Sequence, residues 1–177
     1  MKPIKYLLWV FLSLTFVAIP ALGQRSGNCV EQDGSTRPDC VRAIAFFEKL
    51  QAAVQADKRN EIAAMIQYPT TILVHDKPLK LTNEKQFLAN YDLAFNSAIL
   101  CAIGKARGRD IWGNWQGFTF DGGEIWWDGI IPPASSPDTS DKDYWTKYPF
   151  KIITINNEAV LMEGCPHNWP QETKTHK

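Results

Sequence analysis

Residues 110–130, which read DIWGNWQGFTFDGGEIWWDGI, decide the fold class. Between residues 110 and 120, aromatic residues alternate with small or polar ones, and a period of two predicts a β-strand. The Asp-Gly-Gly sequence at 121–123 is typical of a hairpin turn. Residues 124–130 are then expected to return as the partner strand. The chain is therefore predicted to contain an antiparallel hairpin that is unusually rich in tryptophan.

Other stretches rich in β-branched residues predict more strands on either side of this hairpin. Thr70–His75 is predicted to be a strand, with a turn after it and a return strand over Leu79–Leu81. Phe150–Ile155 is predicted to be another strand, and Ala159–Met162 a last short one. The polar, proline-containing connection over residues 131–149 is long for a loop, so we expect it to be functional or disordered.

Helices are predicted mainly before these strands. Apolar residues at three- and four-residue steps predict a helix over residues 39–56, with Asp39 as its cap. Asp57 is expected to cap a second, short helix, which Tyr68-Pro69 ends because a residue before proline avoids the helical region. The longest helix is predicted over residues 83–103. Helices first and antiparallel strands later indicate an α+β fold, with helices on one face of a curved sheet.

Residues 1–23 have the pattern of a secretory signal peptide. Two lysines precede an apolar run over residues 6–19, and small residues lie at both positions needed for cleavage before Gln24. The run is shorter than the roughly 20 residues that span a bilayer. An uncleaved N-terminal anchor is the alternative. We therefore expect a periplasmic or secreted protein that has no membrane segment after cleavage.

The four cysteines agree with export, because paired cysteines are common in exported chains. They allow three pairings, of which we expect Cys29 with Cys40 and Cys101 with Cys165. Their spacing is wrong for a zinc finger, so neither a metal nor another cofactor is predicted. The predicted organisation is a disulfide-stapled leader over residues 24–40, one domain over 41–165 and a tail over 166–177.

Composition excludes several classes of protein. The chain is 45% hydrophobic and 12% aromatic, which is too apolar for a disordered protein. Its 19 basic residues equal its 19 acidic residues, so nothing indicates nucleic acid as a partner. The sequence also lacks the nucleophile-elbow, zinc-protease, phosphate-loop and dinucleotide-binding motifs. Composition and motifs therefore point to no particular catalytic activity.

The order of elements and several local sequences resemble the nuclear-transport-factor-2-like superfamily, which includes ketosteroid isomerases and polyketide-cyclase-like proteins. The resemblance covers roughly residues 41–157 and is nearest to exported bacterial members of unknown role. The matching pieces are Tyr68-Pro69, residues 87–92 (FLANYD), residues 114–117 (NWQG) with 122–126 (GGEIW), and residues 150–156 (FKIITIN). The resemblance implies a cone-shaped sheet packed on an N-terminal helix pair and a long helix. It also implies a pocket in the cone and a possible homodimer through the sheets.

Two adjacent pairs are candidates for acid–base chemistry. A buried Asp92 could abstract a proton next to a carbonyl while Tyr91 donates a hydrogen bond to the developing oxyanion. Adjacent helical residues point about 100° apart, however, which favours a core tyrosine beside a solvated aspartate. His75 could act as a base near neutral pH, but its neighbour Asp76 would face the other side of a strand. A strand end followed by a turn is the alternative for His75.

Aromatic residues are the candidates for binding. Tryptophans on the face of the hairpin that does not pack on helices could hold a ring, a sugar or a protein. Ordinary sheet packing, with the 131–149 loop as a cover, is the alternative. The predicted ligand-binding residues are Tyr68, Phe95, Trp112, Trp115, Trp126 and Trp127.

Three functions remain open on this basis. The first is a non-catalytic binding protein that holds a small apolar or aromatic ligand in the cone, or a protein partner on the tryptophan-rich sheet. The second is an envelope isomerase or dehydratase that uses Asp92, Tyr91 or His75. The third is an inhibitor or immunity-type protein that blocks an extracytoplasmic enzyme. Convergence of the acid–base residues in one pocket would favour the enzyme.

Overall fold

The computed structural model describes residues 27–38, 40–120, 122–130, 148–158, 160 and 162–166. The predicted signal peptide, most of the 131–149 loop, nearly all of the tail and half of the predicted last strand lie outside these residues. In chain order the elements are β1 (Gly27–Asn28), α1 (Val41–Gln55), α2 (Arg59–Ala64), β2 (Thr70–Val74), β3 (Lys77–Leu81), α3 (Glu84–Ala89), α4 (Tyr91–Ala94), α5 (Ser97–Lys105), β4 (Ile111–Asn114), β5 (Gly117–Phe120), β6 (Ile125–Gly129) and β7 (Phe150–Ile155).

The main sheet has five strands in the order β1-β4-β5-β6-β7, and every pair of neighbours is antiparallel. The sheet and the helices before it confirm the α+β class. The single strand predicted over residues 110–120 is wrong, because the chain turns at Trp115-Gln116 to form two strands. The Asn114 side-chain oxygen accepts a hydrogen bond from the Gln116 backbone N–H at 2.7 Å, which closes the turn.

Gly117 makes this turn possible. Its φ of +124° belongs to the region that favours glycine, and a Cβ at this position would lie 2.6 Å from the Trp127 backbone oxygen. The chain therefore reverses between β4 and β5 next to a residue where strand β6 leaves no room for a side chain.

Helix α1 covers one face of the sheet, which we call the inner face and define by Phe118, Phe120, Trp127 and Ile152. The Phe47 ring of α1 lies 5.2 Å from the Phe120 ring and 5.8 Å from the Trp127 ring. All four inner-face residues are at most 1% exposed. Burial of these large rings is the main driving force that holds helix and sheet together.

The single long helix predicted over residues 83–103 is wrong. Three shorter helices, α3, α4 and α5, replace it, with breaks at Asn90 and at Phe95-Asn96. The Asn96 side-chain oxygen accepts hydrogen bonds from the Ala98 and Ile99 backbone N–H groups at 3.1 and 3.0 Å. An asparagine that caps a new helix competes with continuation of the old one, which explains the second break.

The ends of the first two helices also differ in part from the prediction. Helix α1 ends one residue earlier than expected, at Gln55, and its predicted cap Asp39 lies outside the described residues. Asp57 is not the cap of α2, because it takes a left-handed φ of 48° and α2 begins only at Arg59. After α2 the chain joins β7 in parallel, since the Gln67 N–H donates to the Ile152 oxygen at 2.8 Å.

Strands β2 and β3 form a separate hairpin that one buried side chain links to the main sheet. Asn157 is 2% exposed and pairs with the Leu73 backbone as a neighbouring strand would: its oxygen accepts from the Leu73 N–H at 2.9 Å. Its amide nitrogen donates to the Leu73 oxygen at 2.7 Å and to the Leu93 oxygen at 3.1 Å. The Asn96 amide donates to the Asn157 backbone oxygen at 2.7 Å.

Both disulfides form as predicted, with Cys29 bonded to Cys40 and Cys101 to Cys165. Their Cα–Cα distances are 5.4 and 5.7 Å, within the range that disulfides require. Two disulfides indicate an oxidising compartment. Within the described ranges, no helix has the length and apolar character needed to cross a membrane.

Replacing Asn157 by alanine is expected to destabilise the protein by about 3 kcal/mol, because the three hydrogen bonds between its buried side chain and the Leu73 and Leu93 backbone are lost. Urea denaturation measures the change. Asn83→Ala is the matched control: it removes an exposed cap of α3, whose side chain accepts from the Gln86 N–H, and should cost about 1 kcal/mol. Equal losses from the two variants would contradict the role given to Asn157.

The two disulfides are expected to contribute unequally, because they close loops of different length. They join residues separated by 64 and 11 positions. The chain-entropy model gives about 4 kcal/mol for Cys101–Cys165 and about 3 kcal/mol for Cys29–Cys40. Urea denaturation of the two double Cys→Ala variants should therefore rank the long loop as the larger loss. The reverse ranking would show that local contacts of the leader dominate.

Candidate functional site

Tyr91 lies in the core and not in an open pocket. It is 3% exposed, its ring stacks on the Phe95 ring at 5.4 Å, and the Phe87 ring meets it edge-on at 5.8 Å. Burial raises the pKa of the Tyr91 phenol above its ordinary value, although the guanidinium of Arg59 acts in the opposite direction. These contacts are those of a packing residue.

Asp92 points away from Tyr91 into solvent. Its side chain is 82% exposed and forms an ion pair with Arg59 at 3.1 Å. The same guanidinium lies 4.4 Å from the centre of the Tyr91 ring and also pairs with Asp57 at 3.0 Å. Arg59 therefore covers the ring from outside, and Asp92 helps to hold it there. An exposed aspartate paired with arginine is not enclosed with a substrate as a catalytic base has to be.

His75 lies at an exposed turn. It and Asp76 have φ values of 52° and 60°, and they form the two-residue connection between β2 and β3. The Asp76 backbone N–H donates to the Glu158 carboxylate at 3.1 Å. In the described part of the chain, no hydrogen bond or ion pair joins His75 to Tyr91 or Asp92. The structure thus places the three acid–base candidates in separate environments.

Two of the predicted binding residues meet on the face of the sheet opposite α1, which we call the outer face. The register aligns Trp112, Thr119, Trp126 and Thr154 across β4, β5, β6 and β7. The Trp112 and Trp126 rings lie 5.3 Å apart and nearly perpendicular, at 82°. Thr119 lies between the two partly exposed tryptophans in this row and is fully buried. The two indole rings form a right-angled aromatic corner on the outer face.

Trp115 projects from one end of these strands. The turn at Trp115-Gln116 leaves its side chain 79% exposed, more than that of any other large hydrophobic residue described. The sequence prediction placed it within a strand and missed this turn. Asn114 and Gly117 on either side were the available signal, since both residue types favour turns.

The other three predicted binding residues belong to the core or its edge. Trp127 is fully buried on the inner face and Phe95 is 1% exposed. Tyr68 is half-buried, its hydroxyl donates to the Ala63 oxygen at 3.1 Å, and its ring meets that of Phe87. Burial, with a smaller effect of the Glu84 charge, raises the pKa of Tyr68 well above its usual range. These aromatic rings fill the space between the helices and the sheet.

Trp112 also lines a groove of about 450 Å³, which we call the Trp112 groove. Its other lining residues are Lys105, Asp110, Met162 and Glu163. Lys105 is held in place by a hydrogen bond from its ammonium to the Glu163 backbone oxygen at 3.1 Å. The aromatic wall is thus bordered by charges of both signs. Such a mixture suits a partner that presents an apolar group with polar surroundings.

Sequence reasoning missed a second groove, which we call the basic groove. Arg42, Lys49 and Lys151 line it together with aromatic residues. Arg42 and Lys49 are seven positions apart on α1, which puts them on one helix face. This part of the groove could have been predicted from the sequence. The position of Lys151 in the groove depends on how β7 packs on α1. No pattern in the neighbouring sequence could have predicted it. Among the described residues, no group of three or more His, Cys, Asp or Glu could hold a metal ion.

Comparisons with known proteins identify no relative. No protein-family model, no curated protein and no solved structure matches the chain. The superfamily resemblance thus stays a prediction, and the site has to be interpreted from its own geometry.

The raised pKa of Tyr68 predicts a contribution to alkaline unfolding. Because burial favours the neutral phenol, the folded pKa exceeds the unfolded value of 10.0, so this contribution is complete below about pH 10 and is lost as pH rises towards the folded pKa. Tyr68→Phe should therefore lose less stability than the original protein between about pH 9 and pH 11. Urea denaturation at several pH values measures this. Between about pH 6 and pH 8 the two stability curves should run parallel; a parallel course at higher pH as well would contradict the prediction.

Proposed function

We propose that this chain is an exported, non-catalytic binding protein that holds a protein partner on the outer face of its sheet. The observation that carries the proposal is the corner formed by the Trp112 and Trp126 rings, with Trp115 almost fully exposed at the adjoining turn. Tryptophan is among the residues that most often dominate binding energy in protein interfaces. Strands also hold aromatic side chains more rigidly than loops do, which lowers the entropy cost of binding.

The surroundings of the tryptophans support a protein partner. Thr154 lies in the same cross-strand row, and Asn114 and Gln116 flank Trp115. Polar groups around an aromatic centre are the usual arrangement of a protein interface. The Trp112 groove adds an adjacent depression of about 450 Å³ into which a partner side chain could insert.

The positions of the acid–base candidates support a non-catalytic role. Tyr91 is in the core, Asp92 is solvated and paired with Arg59, and His75 lies at an exposed turn. General acid–base catalysis needs such groups within hydrogen-bonding reach of one substrate atom. Their separation favours binding over the isomerase or dehydratase alternative.

Membership of the nuclear-transport-factor-2-like superfamily and a cone-shaped sheet are part of the proposal. The order of two helices, a hairpin, a helical segment and antiparallel strands supports both. The rings of Phe47, Phe120 and Trp127 occupy the inner face, which argues against a ligand inside the cone. A filled interior with an exposed aromatic surface also suits the inhibitor or immunity-type role, whose partner would be an extracytoplasmic enzyme.

Export to the periplasm or the exterior is likewise proposed. It rests on the signal-like pattern of residues 1–23 and on the two disulfides.

Site-specific photocrosslinking tests the binding surface. A benzophenone amino acid placed at Gln116, next to Trp115, should give a discrete adduct with a protein in the cells that make this chain. Adding Trp115→Ala should reduce the adduct at least fivefold, because loss of a central tryptophan costs about 2 kcal/mol of binding. Adducts of many sizes, or none, would contradict the proposal.

The matched control is Leu93→Ala, which removes another exposed apolar side chain, 44% exposed and located on α4. This variant should leave the adduct from position 116 unchanged. Equal reductions from Trp115→Ala and Leu93→Ala would show that the adduct depends on general surface hydrophobicity and not on the outer face.

A further inference from the structure

The basic groove lies where α1 meets the start of β7 and the end of α2, and none of the three tryptophans of the proposed binding surface lines it. It has a volume of about 450 Å³, which is within the range of sites for small molecules. The residues that carry the inference are Arg42, Phe46 and Lys49 of α1, Met65 after α2, and Phe150 and Lys151 of β7.

The charge of this groove has one sign. Arg42, Lys49 and Lys151 line it, and no acidic residue is among its described lining residues. In the parts of the chain that the structure describes, none of these three cations takes part in an ion pair. Within the described residues, Arg42 donates a hydrogen bond to the Tyr148 backbone oxygen and Lys151 donates one to the Ala64 backbone oxygen. The described lining of the groove therefore carries positive charge only, and the nearest acidic neighbour on the sheet, Asp128, lies opposite Lys151 on β6 outside this lining.

The guanidinium of Arg42 is held in a fixed position with one nitrogen unsatisfied. Its Nη2 atom donates to the Tyr148 oxygen at 3.0 Å, and its carbon lies 5.0 Å from the centre of the Phe150 ring. Its Nη1 atom is buried and has no hydrogen-bond partner among the described residues. A buried charged donor without an acceptor is costly, and an anionic oxygen is the acceptor that would stabilise it most.

Aromatic residues form the apolar part of the groove. The Phe46 and Phe150 rings lie 5.9 Å apart, and behind them the Phe46 ring is stacked on the ring of Trp127 at 6.2 Å. Met65 adds a flexible apolar side chain to the lining. A ligand that contacts these groups needs a flat or flexible apolar body as well as its charge.

We propose that the basic groove binds a small organic carboxylate with a flat apolar body. The carboxylate accepts hydrogen bonds from Arg42 and is attracted by Lys49 and Lys151, while the body lies on Phe46 and Phe150. This groove shares no lining residue with the tryptophan surface proposed for the protein partner. Failure of either proposal would therefore leave the other unaffected.

The test uses the folded, disulfide-bonded protein and the fluorescent probe anilinonaphthalene sulfonate, an aromatic anion. Bound probe should be displaced by 2-naphthoate but not by 2-naphthamide, its neutral isostere, at tenfold higher concentration. Inorganic phosphate should displace it no better than 2-naphthamide does. Displacement by the amide equal to that by the carboxylate, or by phosphate equal to that by naphthoate, would overturn the proposal.

Variants locate the probe. Arg42→Gln should weaken probe binding about tenfold, the loss expected when a charge-assisted hydrogen bond of about 1.4 kcal/mol disappears. Lys49→Gln should weaken it about threefold by loss of a nearby charge. The matched control Lys80→Gln removes an exposed charge on β3 and should change binding by less than about 1.5-fold, as should Trp115→Ala on the outer-face side.

Lys49 keeps the test decisive if Arg42→Gln fails to fold. Lys49 is exposed, and no hydrogen bond or ion pair ties it to another described residue, so Lys49→Gln and Lys49→Glu are expected to fold. Lys49→Glu should weaken probe binding more than Lys49→Gln, because it reverses the charge. Affinity unchanged in both Lys49 variants would overturn the proposal.

Discussion

The buried side chain of Asn157 is the constraint on which the arrangement of the parts depends. A buried amide has to be satisfied on both its oxygen and its nitrogen, and here its partners are backbone groups of Leu73 and Leu93. Asn96, which caps α5, donates to the backbone oxygen of the same residue. The small hairpin, the end of α4, the start of α5 and the segment after β7 therefore meet at one residue. Moving any of them would leave a polar group unpaired in the core, which gives the packing of apolar side chains a unique geometry.

The sequence predicted the elements whose pattern is local. Phe150–Ile155 and the pairing of the four cysteines were correct. A β-branched run needs no tertiary context, and Cys29 pairs with Cys40 across a short polar loop, which leaves Cys101 and Cys165 as the second pair. The prediction failed where one side chain opposes a strong pattern. Asn96 interrupts an otherwise continuous apolar stripe by capping a new helix, and Asn114 ends a strand by closing a turn. Both effects are short side-chain-to-backbone hydrogen bonds, which apolar periodicity does not register.

The sequence predicted the type of candidate site, an aromatic binding surface, but not which of the aromatic residues form it. The density of aromatic residues indicated a binding surface, but the face that each ring takes follows from strand register. Trp126 and its neighbour Trp127 point to opposite sides of the sheet, so one reaches the outer face and the other enters the core. The basic groove was beyond local reasoning, since Lys151 joins Arg42 and Lys49 only through the packing of β7 on α1.

The Cys101–Cys165 disulfide encloses β4, β5, β6 and β7 within one covalent loop. Any peptide bond cut between β6 and β7 would consequently leave two fragments joined through this bridge, with all four strands still tethered. A protease that nicked the connection would produce a two-chain molecule of unchanged mass apart from one added water. Only a reducing agent would separate the pieces, so the covalent integrity of the sheet does not depend on an intact chain between these strands. Topologically, the bridge makes the β6–β7 connection a candidate position for new chain termini.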